Sequence, residues 1–236
     1  TPDEAGNWNY VFKNLPQYDA KGKITYTVTE SAVAGYETSV SGYNITNTHK
    51  PATLDITGTK TWNDSNNQDG KRPKSITVNL LANGIITDTK TVTADDNWTY
   101  SFTDLPKYAN GQEITYTVSE LTVPGYTTTV DDNYNITNSY TPGKTSATVT
   151  KIWNDAENQD GKRPESITVR LLANGEEKDS QTVTADENGN WTYSFEKLPK
   201  YEAGKEILYT VTEDAVADYT TEITGYDINN SYATEK

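Results

Sequence analysis

One stretch of this chain occurs twice, almost letter for letter. TKTWNDSNNQDGKRPKSITVNLLANG at 59–84 returns as TKIWNDAENQDGKRPESITVRLLANG at 150–175. Shorter strings occur three times: ITYTVTE (24–30), ITYTVSE (114–120) and LYTVTE (208–213), then YNITNT (43–48), YNITNS (134–139) and YDINNS (226–231). Lys60 to Lys151 is 91 positions, Glu30 to Glu120 is 90, and Asn47 to Asn138 is 91. A period of that length is a whole small domain, not a solenoid turn. The chain must therefore fold as an array of like modules, each complete copy large enough to bury its own core. The expected division is 1–50 for the C-terminal half of a module, then 51–141 and 142–236 for two complete modules. Arrays of this kind usually do spacing, mechanical or display work rather than chemistry on a substrate.

Within a module the pattern is that of short strands. Thr, Tyr, Val and Ile recur in alternating runs, and no window holds a helical period. In the middle copy the strands are expected at 56–62, 75–81, 85–92, 98–102, 114–120, 126–130 and 135–140. Asn83-Gly84 reads as a hairpin turn, because both residues tolerate positive φ. Leu105 to Tyr108 reads as a corner. About seven strands with turn signals between them predict an all-β fold of tandem antiparallel sandwiches. The first 50 residues align only with the second half of a module, from the Trp98 turn onward. Alone they would have an exposed sheet edge and half a core, to be completed by further sequence or by another chain.

Charge and composition exclude several functions. A formal charge of −14 argues against nucleic acid and against an anionic membrane surface. No apolar stretch approaches a membrane span. Cysteine is absent, which excludes disulfides and thiolate metal sites, and methionine is absent too. Little is left to oxidise, a composition suited to an extracellular setting. A single histidine excludes most nucleophile–base dyads and zinc sites. The NQDGKRP loop fails as an EF-hand. With Gly70 as the loop glycine, position one is Ser65 and position twelve is Ile76. Neither cofactor nor metal is expected.

Three polar residues per module fall on faces that should be apolar. Side chains two apart on a strand share a face. Ile56, Gly58, Lys60 and Trp62 therefore point one way, as do Val149, Lys151 and Trp153. Tyr116, Val118 and Glu120 share a face, matched by Tyr209, Val211 and Glu213. Ile136 and Asn138 share another, matched by Ile228 and Asn230. Two readings are open. One is a buried ion pair with an asparagine beside it. The other is self-modification. Burial lowers an amine's pKa and raises a carboxyl's, so that a neutral lysine can attack. A carboxyl group polarises the asparagine carbonyl and shuttles protons to the leaving ammonia. The product is a Lys–Asn isopeptide bond, formed once folding has aligned the groups.

The string TKTWND…NQDGKRP…ITVNLLANG…YTVSE…YNITN resembles the B-type repeats of Gram-positive collagen adhesins, the Cna B-type domain. The resemblance covers essentially the whole chain. It implies an inverse immunoglobulin-like (prealbumin-like) sandwich, stalk repeats on a cell surface and an intramolecular isopeptide bond. Carried over residue by residue, the bond joins Lys60 to Asn138 with Glu120 as catalyst, and Lys151 to Asn230 with Glu213. The half module keeps Glu30 and Asn47 but has no lysine strand, so no bond is expected within it. His49 stands there where the other copies have tyrosine. The resemblance further implies a wall-anchored extracellular protein. Its partners would be the neighbouring modules and, through a head domain elsewhere, host extracellular matrix. Self-crosslinking is a single turnover, so no enzyme is expected. The alternative is a module that itself grips a host protein.

Overall fold

The computed structural model describes residues 1–232. They form two compact units, one of Thr1–Leu54 with Pro106–Glu113, the other of Asp55–Leu105 with the described residues from Ile114 onward. The first unit holds short strands only: β1 (Tyr18–Asp19) with β2 (Gly22–Lys23), and β3 (Glu37–Ser41) with β4 (Asn44–Thr48). None of residues 1–50 is buried, and Trp8, Val11 and Phe12 are 74%, 71% and 68% exposed. Two-stranded sheets this short enclose no interior for alternating side chains to fill.

The second unit contains two sandwiches. The strands of the first are β5 (Thr53–Asn63), β6 (Ser75–Ala82), β7 (Ile85–Thr93) and β8 (Thr99–Pro106). The short hairpin that follows in sequence, β9 (Tyr108–Ala109) with β10 (Gln112–Glu113), belongs to the first unit. Then come β11 (Tyr116–Glu120), β12 (Thr127–Val130) and β13 (Ile136–Ser139). One sheet runs β11-β6-β7 and the other β12-β13-β5-β8. The inward positions of alternating strands fill the space between them: Ile56, Ile76, Val78, Leu80, Val92, Phe102, Val118 and Ile136 are all buried. Asn83 and Gly84 have φ of 50° and 83°, the turn that the dipeptide favours.

The second sandwich repeats this plan. Its strands are β14 (Lys144–Asn154), β15 (Ile167–Ala173), β16 (Glu176–Val183), β17 (Trp191–Pro199), β18 (Tyr201–Glu202), β19 (Lys205–Glu206), β20 (Tyr209–Glu213), β21 (Thr220–Thr224) and β22 (Asp227–Ser231). The sheets run β16-β15-β20 and β17-β14-β22-β21. The core is Val149, Ile167, Val169, Leu171, Val183, Phe195, Val211 and Ile228, with Trp191 at one end.

Pairing is antiparallel except in one place per sandwich. The opening and closing strands lie side by side and parallel, with Ile136 opposite Lys60 and Asn138 opposite Trp62. The second sandwich pairs Ile228 with Lys151 and Asn230 with Trp153. Gly58 marks where the copies diverge. A Cβ there would stand 2.6 Å from the Tyr100 ring, which passes beneath the strand to donate to the Tyr134 carbonyl. Val149 occupies the matching position of the other sandwich.

Candidate functional site

Lys60 lies on β5 of one sheet and Glu120 on β11 of the other. Their side chains meet across the sandwich, Nζ to Oε1 at 3.0 Å, and both are fully buried. Lys151 and Glu213 meet likewise at 3.3 Å. Each pair is a direct ion pair with no water-accessible surface on either side chain. The lysine stems run along their own strand's tryptophan. Lys60 Nζ is 4.4 Å from the centre of the Trp62 ring, and Lys151 Nζ is 4.1 Å from that of Trp153. Burial pushes both amines below the ordinary lysine range, partly offset by the glutamate, and takes Lys151 to about 8.

Asn138 and Asn230 sit one pleat further along the closing strands, on the same face as the residues opposite the lysines. A diagonal step of this kind is within reach of a long side chain. Both asparagines have no exposure at all, and neither the oxygen nor the nitrogen of either carboxamide has a hydrogen-bond partner. A buried amide left unpaired costs roughly 1–3 kcal/mol per group. Each such amide is one pleat along the closing strand from the position opposite the buried lysine.

A fourth residue escaped the sequence reading. Thr128 Oγ1 donates to Glu120 Oε2 at 3.0 Å, and Thr221 Oγ1 to Glu213 Oε2 at 3.1 Å. Each threonine is directly opposite the asparagine in the ladder, Thr128 against Asn138 and Thr221 against Asn230. One oxygen of the glutamate thus faces the amine, and the other is fixed by the threonine. A repeat signal existed: Tyr36, Tyr126 and Tyr219 are each followed two positions later by Thr38, Thr128 and Thr221. In the first unit Thr38 Oγ1 lies 3.2 Å from Glu30 Oε2 and 2.6 Å from Asn47 Oδ1. Three members of the set are therefore together there in the open, on a segment without a lysine strand.

A second buried cluster explains the NQDGKRP loop. Arg72 clasps Asp64 with Nε at 3.0 Å and Nη2 at 2.6 Å, and Tyr126 Oη adds a bond at 2.9 Å. Arg163, Asp155 and Tyr219 repeat the arrangement. The Arg163 guanidinium, opposed by burial, holds the Asp155 carboxyl down at about 2. This carboxylate closes the loop internally. Among the described residues no group of His, Asp and Glu could hold a metal ion, and no helix is long and apolar enough to cross a membrane.

Comparison with known proteins gives a consistent picture. The family model for the Cna protein B-type domain matches residues 1–48, 56–139 and 147–231. A collagen adhesin of Staphylococcus aureus is 51% identical over 232 residues, covering 96% of this chain. The chain spans only 19% of that protein's length. The crystal structure of two B repeat units of the collagen binding protein of Staphylococcus aureus superposes with a TM-score of 0.71 at 51% identity, covering 98% of this chain and 63% of that one. A single B repeat unit of the same collagen binding surface protein is 45% identical, with a TM-score of 0.37, covering 78% of this chain and all of that one.

Proposed function

The chain belongs to the Cna protein B-type domain family, and from that premise we propose that it is a length of surface stalk whose complete modules lock themselves with a Lys–Asn bond. The modules are 1–50 (half), 51–141 and 142–236, and they project a ligand-binding head from a Gram-positive cell wall. The observation that carries this reading is that each sandwich buries an unpartnered carboxamide on its closing strand, one pleat from the position opposite a lysine that is itself buried against a glutamate. Left as they are, these groups destabilise the core. Joined, they become a neutral amide.

The reaction balances within the pocket. Glu120 takes a proton from the Lys60 ammonium, and the neutral Nζ attacks the Asn138 carbonyl carbon. A second proton moves from Nζ through the same carboxylate to the departing nitrogen. The Cγ–Nδ2 bond breaks, the Nζ–Cγ bond forms, and ammonia leaves. Glu213 does the same for Lys151 and Asn230. Holding the reactants in one pocket supplies the proximity that makes amide exchange feasible without a cofactor. By analogy with a disulfide, closing a loop of this length restrains the unfolded chain by about 4–5 kcal/mol.

Direct adhesion through the loops finds less support. Residues 63–73 and 154–164 are near copies with the same internal Asp–Arg clasp, whereas a binding surface would be expected to vary. Intact-mass measurement tests the proposal. One ammonia should be missing for each complete module and none for residues 1–50. Glu120→Ala and Glu213→Ala should each restore one. A wild-type chain at its full summed mass defeats the reading.

A further inference from the structure

The Gln68–Asp69–Gly70 tip of the first sandwich's loop does not end in solvent. Asp69 is 7% exposed, and its Oδ2 accepts from Tyr140 Oη at 2.9 Å and from the Gly143 N–H at 2.8 Å. The Gln68 carbonyl accepts from the Gly204 N–H at 3.0 Å, in the turn between β18 and β19 of the second sandwich. The Gly143 carbonyl in turn accepts from the Lys200 N–H at 3.0 Å. Gly70 and Gly204 meet backbone to backbone. A Cβ built on Gly70 would stand 2.6 Å from Gly204 Cα, and one built on Gly204 would stand 3.0 Å from Gly70 Cα. Two glycines, one carboxylate and the connecting segment thus form a closely fitted joint.

The second sandwich provides an internal comparison. Its loop has the same sequence at the tip, Gln159-Asp160-Gly161, and the same clasp at the base. There Asp160 and Gly161 are exposed, and nothing lies within 4 Å of a Cβ built at Gly161. The loop therefore adopts its form without a partner for its aspartate. What covers Asp69 is Tyr140 and the connecting segment at Gly143, while the following sandwich's Gly204 turn closes on Gln68 and Gly70.

We propose that the Gln68–Asp69–Gly70 tip is a docking surface for the following module, recognising the glycine of its β18–β19 turn, and that this contact makes the two sandwiches one rigid body. Asp69 ties the connecting segment by its Gly143 amide, and Gly70 admits the neighbouring turn because neither partner carries a Cβ. The inference extends the stalk reading from stiffness within a module to stiffness between modules. It does not depend on the Lys–Asn bond.

Backbone 15N relaxation on the full chain tests it. Residues of the two sandwiches should share one rotational correlation time. Asp69→Ala should separate them, with each value dropping toward that of a single sandwich. Gly204→Asn is the second variant. Asparagine tolerates the left-handed turn, whose φ is +77°, while its Cβ would stand 3.0 Å from Gly70 Cα and push the two backbones apart. Asp160→Ala, equal in local loop chemistry but free of a neighbour, should leave the shared value unchanged. Separate correlation times in the wild type overturn the proposal. So does a shared value that survives both Asp69→Ala and Gly204→Asn, or an Asp160→Ala that separates the sandwiches as much as Asp69→Ala. Intact mass on the same samples reports the Lys–Asn bond independently, so failure of one reading is distinguishable from failure of the other.

Discussion

A lysine, a glutamate and an asparagine inside a sandwich core oppose its stability unless something consumes their polarity. Thr128 bears on how the proposed bond would form. It fixes one oxygen of Glu120 and leaves the other toward Lys60. Thr128→Val keeps the shape and removes the hydrogen bond. Losing about 1–1.5 kcal/mol of positioning predicts a roughly tenfold slower bond formation. The check is the fraction of unreacted chain by mass at early times after refolding, with Thr128→Ser restoring the rate. A pH test follows from Lys151. In Asn230→Ala its amine stays free, with a folded-state pKa of about 8 against the ordinary value of 10.5. Between those values the unfolded chain holds more protons, so stability rises with pH across that window, and below it the full penalty of burying the charge applies. The melting temperature of Asn230→Ala should therefore climb from about pH 8 toward pH 10 relative to a wild type in which the proposed Lys–Asn bond leaves no amine to titrate. At this scale the sequence was informative because a period of two assigns faces. Lys60, Glu120 and Asn138 were each found by that alternation. Thr128 was not, since it lies on an exposed strand and alternation does not say which residue of a neighbouring strand reaches over.

The elements divide into those that alternation specifies and those that polar contacts specify. The strands of each sandwich follow their apolar positions, and the Asn83-Gly84 turn follows its dipeptide. The parallel pairing of β5 with β13 was not legible, because an alternating strand reveals its buried face but not its neighbour. The β9–β10 hairpin was missed as well, although Asn110-Gly111 is itself a turn signal. The NQDGKRP loop fails as an EF-hand in the sequence, and its organiser proves to be outside the string: Asp155 is two residues after Trp153 and faces Arg163 from the other side of the loop. Because Asp155 is only 2% exposed, removing its partner leaves a buried charge. Arg163→Ala should destabilise the second sandwich by about 3–5 kcal/mol, read from denaturant unfolding. Acid acts on the same contact. The Asp155 carboxyl sits at about 2 when folded and 3.8 ordinarily. Its contribution is therefore complete above the ordinary value and is lost as pH falls through about 2.

At the scale of the whole chain, what matters is where force would enter and leave. Tension applied through the chain reaches each sandwich at the start of its opening strand and leaves at the end of its closing strand. Those strands are adjacent and parallel, so their shared hydrogen bonds are loaded together in shear rather than one at a time. A covalent link between them changes the outcome in kind. Lys60 and Asn138 are 78 positions apart, and Lys151 and Asn230 are 79. If those residues unravelled, each sandwich would release about 260–280 Å of extended chain. With the link in place the load passes from lysine to asparagine, and the residues between them carry none. Single-molecule extension of the wild-type chain should therefore show no step of that size. Glu120→Ala should yield one, and Glu120→Ala combined with Glu213→Ala should yield two. Steps of full length from the wild type would mean that load runs through the core of each sandwich, and the proposal of a stalk locked by Lys–Asn bonds would fail.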